Sequence, residues 1–322
     1  MKNFSSKLSA SQQAERLLPP QRRVKAVLDT DAYNEIDDQF AILYAMLSPE
    51  KIDLQAIYAA LFYNGRSSSP ADGMEKSYQE ILKICGLTGR DPEGFVFRGC
   101  RAPLEGPELP QESEAVNDLI RKARQASPDD PLYVIGIGAC TNIASAILKC
   151  PEIIENLVVV WLGGNALEWH DNIEFNIREF NLSQDLAAGQ VLFDCGVPLV
   201  QIPAFGVTNF LITTVPELEA CLAGKNKICD YLVDNVKAYS NDHFAWSKAI
   251  WDVGAVAYLV NSGWTPSSLI HAPVVVSDHS YAFDERRHFI RSVQRMDRDA
   301  IFRDLFTKLG SCHERFPQAA KK

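Results

Sequence analysis

Carboxylates crowd one short stretch of this chain, Asp29-Thr30-Asp31-Ala32-Tyr33-Asn34-Glu35-Ile36-Asp37-Asp38, which follows directly on the apolar segment Val24-Lys25-Ala26-Val27-Leu28. Four aspartates on one strand-to-helix turn repel one another by an amount that water only partly screens. A bound cation is the simplest remedy, since hard divalent ions such as calcium gather roughly six to eight oxygen ligands. The positive end of a helix starting near Asp38 adds to that neutralisation. A solvated acidic turn with one helix cap is the plainer account of the same residues. The apolar strand directly before them weighs against it, because it sets the carboxylates at the edge of a sheet where ligands bind.

The elements that must position this loop are legible in the hydrophobic pattern. Short apolar runs at 24–28, 54–61, 95–97, 132–137, 157–162 and 198–202 are rich in Val and Ile and lead into Asp, Gly or Asn, as buried strands of a mostly parallel sheet do. Helices are expected between them at 38–47, 74–85, 114–126, 142–148, 184–195 and 252–260, with an amphipathic closing helix at 297–309. This alternation predicts an α/β fold with a doubly wound, Rossmann-like sheet flanked by helices. No composition shift divides the chain, so the expectation is a polar N-terminal extension over 1–23 and one domain over 24–322.

A chain of 322 residues, 47% of them hydrophobic, can bury a large core. Its formal net charge of -9 gives the surface no reason to gather phosphate backbones or anionic lipid, which favours a small-molecule substrate over nucleic acid or membrane. Segment 1–23 lacks the apolar stretch of a secretory signal, and runs such as 156–164 are too short to span a bilayer, so a cytoplasmic protein is expected. Cysteines at 85, 100, 140, 150, 195, 221, 229 and 312 show no CxxC spacing or zinc-like pairing with His, and are expected to be reduced, mostly buried thiols.

The aspartate loop resembles the Asp-x-Asp-Pro-Gly-x-Asp-Asp signature of the inosine-uridine type nucleoside hydrolases, with Ala32 to Ile36 making it two residues longer. Further segments resemble that family in the same order. Gly136-Ile-Gly138-Ala-Cys-Thr141-Asn142 is similar to its Gly-Pro-Leu-Thr-Asn turn, and Trp161-Leu-Gly163-Gly164 with Glu174-Phe175-Asn176 to its Met-Gly-Gly strand end and Glu-Phe-Asn ribose clamp. Ile250-Trp251-Asp252 resembles its final His-Asp-Pro helix start. The resemblance covers nearly the whole chain from about Val24 to Leu309 and implies the nucleoside hydrolase fold.

It also implies calcium held by Asp31, Asp38, the backbone carbonyl of Thr141, and Asp252, with Asp37, Asn64, Glu174, Asn176 and Asp252 gripping ribose hydroxyls. An oxygen-only donor set suits calcium and makes zinc an unsuitable occupant. Asp31 is then the general base toward a calcium-bound water, and carboxylates near the sugar stabilise the positive charge that builds on the ribosyl carbon. Trp251 stands where many members of the family place a His, and a purine-preferring branch uses Trp there to stack on the base, which leans the expectation toward purine nucleosides. Trp169, His170, His243 and Trp246 are further candidates for the base side. The resemblance also implies a homo-oligomer, dimer or tetramer. Two other readings stay open: a protein of this fold that binds a nucleoside or sugar without cleaving it, and a magnesium-dependent phosphatase resembling the haloacid dehalogenases, which also open on Asp-x-Asp but give Asp37 and Asp38 no role.

Overall fold

The computed structural model describes residues 8–167 and 178–320. In chain order the strands are β1 (Val24–Thr30), β2 (Ile52–Ala59), β3 (Val96–Arg98), β4 (Leu132–Gly136), β5 (Leu157–Leu162), β6 (Leu199–Ile202), β7 (Ile212–Thr213), β8 (Lys248–Ala249), β9 (Ser267–His271), β10 (Val274–Val275), β11 (Tyr281–Ala282) and β12 (Phe289–Val293). Eight of them form the central sheet in the order β3-β2-β1-β4-β5-β6-β12-β9. Neighbours pair in parallel as far as β12, and β9 closes the edge antiparallel to it. The remaining strands make two small antiparallel ribbons, β7 with β8 and β10 with β11.

The strand order reverses between β1 and β4, with β2 and β3 built outward on one side and β5 and β6 on the other. At such a switch point the connections leave in opposite directions and open a crevice above the carboxyl ends of the two strands. β4, β5 and β6 are buried throughout, as the absence of polar alternation in their sequences requires.

Two helices fix the geometry that matters most. Asp38–Met46 and Val253–Val260 are apolar on nearly all sides and almost wholly buried, and they pack against each other. A helix with no polar face has no freedom to rotate toward solvent, so its first residue is held where the core places it. The starts of these two helices carry Asp38 and Asp252.

The expected elements form, with shifts at their ends that have local causes. The helix expected at 74–85 runs over Pro70–Thr88, because Ser69 caps it, Pro70 opens it and Gly89, at φ 69°, ends it. The segment expected as one helix at 184–195 is broken at Asp185 into Phe180–Gln184 and Leu186–Asp194, and the Asp185 carboxylate caps the second piece through Ala188 N–H. Helices Val215–Cys221 and Lys227–Tyr239 and the strands β9 and β12 were not anticipated from the pattern. β9 is a half-exposed edge strand, and β12 interrupts its apolar run with Arg291, whose buried guanidinium donates to the carbonyls of Leu17 and Ser267. Within the N-terminal extension, helix Ala10–Arg16 docks on the domain: Leu17 is fully buried, and Gln13 donates to the carbonyls of Gly196 and Phe289. All eight cysteines are free thiols, seven of them buried and Cys221 partly exposed. Among the described residues no helix is long and apolar enough to cross a membrane.

Candidate active site

β1 lies between β2 and β4 and delivers Asp29 and Thr30 at its carboxyl end, with Asp31 the first residue beyond it. The loop then folds back on itself, Asn34 N–H donating to the carbonyl of Asp31 at 2.7 Å, and Ala32 and Ile36 are buried beneath it. Three neighbours pin the added stretch. Gln39 donates to the carbonyl of Ala32 at 2.8 Å, Asn64 to the Asn34 side chain at 2.6 Å, and Arg66 to the carbonyl of Glu35 at 2.8 Å while lying over the Tyr33 ring. The extra length is therefore packed structure.

Asp37 and Asp252 both occupy helix N-cap positions, yet neither side chain caps its helix. Together with Asp38 they bring three buried carboxylates to one point, with an oxygen from each within 4.8 Å of the others. Asp31 lies close enough for its charge to bear on Asp252, and the charges of Asp38 and Asp37 bear on it in turn. The loop after β4 passes beside it: a Cβ built on Gly138 would come 3.1 Å from Asp31 Cγ and 3.1 Å from its backbone nitrogen. A side chain at 138 would press directly on the carboxylate, and this is the physical use of glycine there.

Burial, followed by the charges of Asp38 and Asp37, drives the Asp31 carboxyl well above its usual range. Asp252 behaves likewise, through burial and then the charges of Asp37, Asp38 and Asp31. Asp38 is pushed up to about 8 by burial and by Asp37, against hydrogen bonds from Thr30 and Asp252 that lower it. Asp37 rises to about 6 by burial, with the Lys248 ammonium holding it down. Burial lifts Asp29 to about 7, opposed by its hydrogen bond from Asn142. One carboxylate oxygen each of Asp29, Asp31 and Asp38 is buried without a hydrogen-bond partner.

Buried carboxylates that lack partners and face one another are unfavourable as anions unless a positive charge joins them. The donors are all oxygens and the charge is concentrated, so the residues present fit a hard divalent cation. Thr141 opens the helix after β4 with its hydroxyl tied to Asp185 at 2.7 Å, and the same Asp185 oxygen accepts from Leu104 N–H at 2.9 Å. Asn142 joins three strand ends: it donates to Asp29 at 2.8 Å and to the carbonyl of Ala59, and it accepts from Cys100 N–H at 2.8 Å.

The other candidates are distributed as follows. Asn64 spends its amide on the loop, donating to Asn34 and accepting from Arg66 N–H. Trp251 is partly buried, edge-on to Phe205 at 5.3 Å. Trp246 packs beside Tyr239 and His243, and His243 meets the carbonyl of Lys237 at 3.0 Å. Trp169, His170, Glu174 and Asn176 lie outside the described residues.

Several participants were not singled out from the sequence. Glu-Phe-Asn occurs twice, and the second copy, Glu179-Phe180-Asn181, is placed: Glu179 is buried and accepts from the backbone of Gly164, Asn181 and Leu182, while Asn181 donates to the carbonyl of Leu162. This copy caps a helix against the end of β5, and the exact repeat of the motif was the available signal. Lys248 is also new. It is buried on β8, bonded to Glu35 of the aspartate loop, and carries no motif that would mark it.

The doubly wound sheet that carries this carboxylate cluster at its switch point is a fold shared with solved nucleoside hydrolases. A plant nucleoside hydrolase superposes with a TM-score of 0.72 at 19% identity, covering 89% of this chain and 99% of that one. A purine-preferring ribonucleoside hydrolase from Gardnerella vaginalis gives 0.72 at 24% identity, covering 89% and 98%. The model of the family described as inosine-uridine preferring nucleoside hydrolase matches residues 26–303, and the chain belongs to that family, making it a hydrolase of N-glycosyl compounds. Among its relatives, a non-specific ribonucleoside hydrolase of Escherichia coli is 28% identical over 261 residues, 74% of this chain and 79% of that protein. A probable uridine nucleosidase of Arabidopsis thaliana is 26% identical over 243 residues, 69% and 71%.

Proposed function

We propose that this protein cleaves the N-glycosidic bond of ribonucleosides, releasing base and ribose, with calcium as its metal and purine nucleosides as its preferred substrates. One observation carries the reading: buried Asp37, Asp38 and Asp252 converge beside Asp31, and oxygens of Asp31 and Asp38 are left without partners. Asp31, Asp38, Asp252 and the Thr141 carbonyl would hold the ion. Bound there, it would neutralise the cluster and lower the pKa of a water.

The chain's own residues supply the rest. Asp31, with an unpartnered oxygen in the site, takes the proton from the attacking water. Positive charge growing on the ribosyl carbon and ring oxygen is stabilised by the surrounding carboxylates, which are fixed by the core and need not reorganise. Asp37 and Asp252, free of capping duties, hold ribose hydroxyls. Glu174 and Asn176 join them in this reading, and Asn64 acts through the loop it grips. Trp251 stacks on the departing base, with Trp246, His243, Trp169 and His170 around it. The relatives' names span uridine, purine and non-specific activities, so the purine preference rests on the aromatic character of Trp251. The single domain over 24–322, a homo-oligomeric state and a cytoplasmic location belong to the same proposal.

The test is a panel of purine and pyrimidine ribonucleosides assayed for free ribose, with calcium present and then chelated. Purine turnover that disappears on chelation and returns with calcium is expected, and Asp31→Asn should lose turnover by orders of magnitude while keeping its fold. Binding without ribose release across the panel would instead make this a non-catalytic nucleoside-binding protein.

A further inference from the structure

We infer that Glu35 and Lys248 form an ionic clamp that ties the aspartate loop to the segment bearing Asp252, and so preassembles the carboxylate cluster before any cation arrives. The clamp itself is independent of the function proposed above, and only its effect on calcium uptake rests on that reading.

Convergence of Asp37, Asp38 and Asp252 has to be held against their mutual repulsion. Helix packing fixes Asp38 and the body of the Asp252 helix, but residues 32–37 are loop. Gln39, Asn64 and Arg66 pin that loop from its own helix and from the β2 side, and none of them reaches the 248–252 segment. Lys248 does. Its ammonium lies 2.5 Å from Glu35 Oε2 and 2.9 Å from the carbonyl of Ala249, with its side chain only 8% exposed. Among the described residues this is the ion pair that reaches residues 31–38.

Glu35 is placed to serve as the other half. It stands two residues before Asp37, as Lys248 stands four before Asp252, so one contact joins both approaches to the cluster. Its second oxygen accepts from the Tyr239 hydroxyl at 3.1 Å, and the Tyr239 ring lies 5.4 Å from the Lys248 ammonium. Burial works against a charged lysine, yet the carboxylates of Asp37 and Glu35 hold its proton more tightly than usual. A buried ammonium so paired does not swing out to water, because leaving would strand its partners. Glu35 also belongs to the stretch that Gln39, Asn64 and Arg66 pin, so its carboxylate meets Lys248 from packed structure.

The experiment is a double-mutant cycle, Glu35→Gln, Lys248→Met and both together, with Lys248→Arg as the conservative variant. Each chelator-treated protein is titrated calorimetrically with calcium chloride alone, and amide hydrogen exchange is followed over 31–38 and 248–252 without cation. For a clamp, each single change weakens calcium binding by about tenfold, and the double variant is no weaker than the worse single, since both remove the same contact. Exchange in both segments accelerates in all three, and Lys248→Arg restores most of the protection. A pure charge effect gives a different pattern: Lys248→Met tightens binding, Glu35→Gln weakens it and the double variant returns to the parent. That pattern overturns the clamp, as does unchanged exchange in Lys248→Met. If the parent takes up no calcium, the metal assignment of the proposed function fails, and the exchange arm alone decides for or against the clamp.

Discussion

Stripped of divalent cations, this protein should become less stable as pH rises from 5 to 8, the reverse of ordinary carboxylate behaviour. Burial holds Asp29 at about 7 and Asp38 at about 8, both above the unfolded value of 3.8. Between those limits the folded chain keeps protons that the unfolded chain has released, so raising the pH favours unfolding. The stability they protect is fully present below the unfolded value of 3.8 and is lost as pH climbs through the folded values. Asp31 and Asp252, also raised, steepen the loss, and half-buried His288, which desolvation lowers to about 4, opposes it. Each carboxyl proton so held is worth about 1.4 kcal/mol per pH unit, so Asp29 and Asp38 alone cost about 3 kcal/mol per unit between pH 5 and 6.5. For a chain of 322 residues, an unfolding entropy of roughly 0.7 kcal/mol/K converts this to about 4 °C per pH unit. Calcium at about 100 times its dissociation constant adds about 2.7 kcal/mol, again about 4 °C, and adds more at pH 8 than at pH 5, where protons compete for the same oxygens. Differential scanning calorimetry from pH 5 to 8, in chelator and in calcium, reads both slopes. A chelated midpoint that stays flat or rises with pH, or a calcium increment no larger at pH 8 than at pH 5, refutes the reasoning.

Two substitutions probe the scaffold of the site. Gly138→Ala places a methyl 3.1 Å from Asp31 Cγ and 3.1 Å from Ala60 Cβ, so kcat should fall by about tenfold at a stability cost of about 1 kcal/mol; steady-state rates beside a urea unfolding curve check it, and unchanged kcat would show that Asp31 tolerates displacement. Asn142→Ala removes the hydrogen bond to buried Asp29 and the acceptor of Cys100 N–H, and should cost about 2 to 4 kcal/mol in urea denaturation; a loss below about 1 kcal/mol would mean that water replaces the amide.

Much of the fold was legible because it is written in local pattern. β5 occupies 157–162 as its run of Leu and Val predicts, and the helices starting at 38 and 114 begin where the pattern places them. What misled was local as well: Asp185 breaks a helical run by capping its own second half, and Arg291 disguises a central strand because its charge is satisfied by distant carbonyls. Glu-Phe-Asn occurs twice, and the second copy, five residues after the first, caps a helix against β5.

By itself the sequence determined that a strand would run into an acidic loop and a helix, that strands and helices would alternate, and that the carboxylates would sit at strand ends. Periodicity and side-chain chemistry are properties of neighbouring residues, and neighbours suffice to read them. The meeting of Asp252 with Asp38 was implied only through the family resemblance, and the tertiary structure alone decided that Gly138 lies against Asp31 and that Glu35 finds Lys248. Those meetings depend on which buried helices pack side by side and on where the strand order reverses. Such arrangements minimise the energy of the whole core at once, and no single segment encodes them.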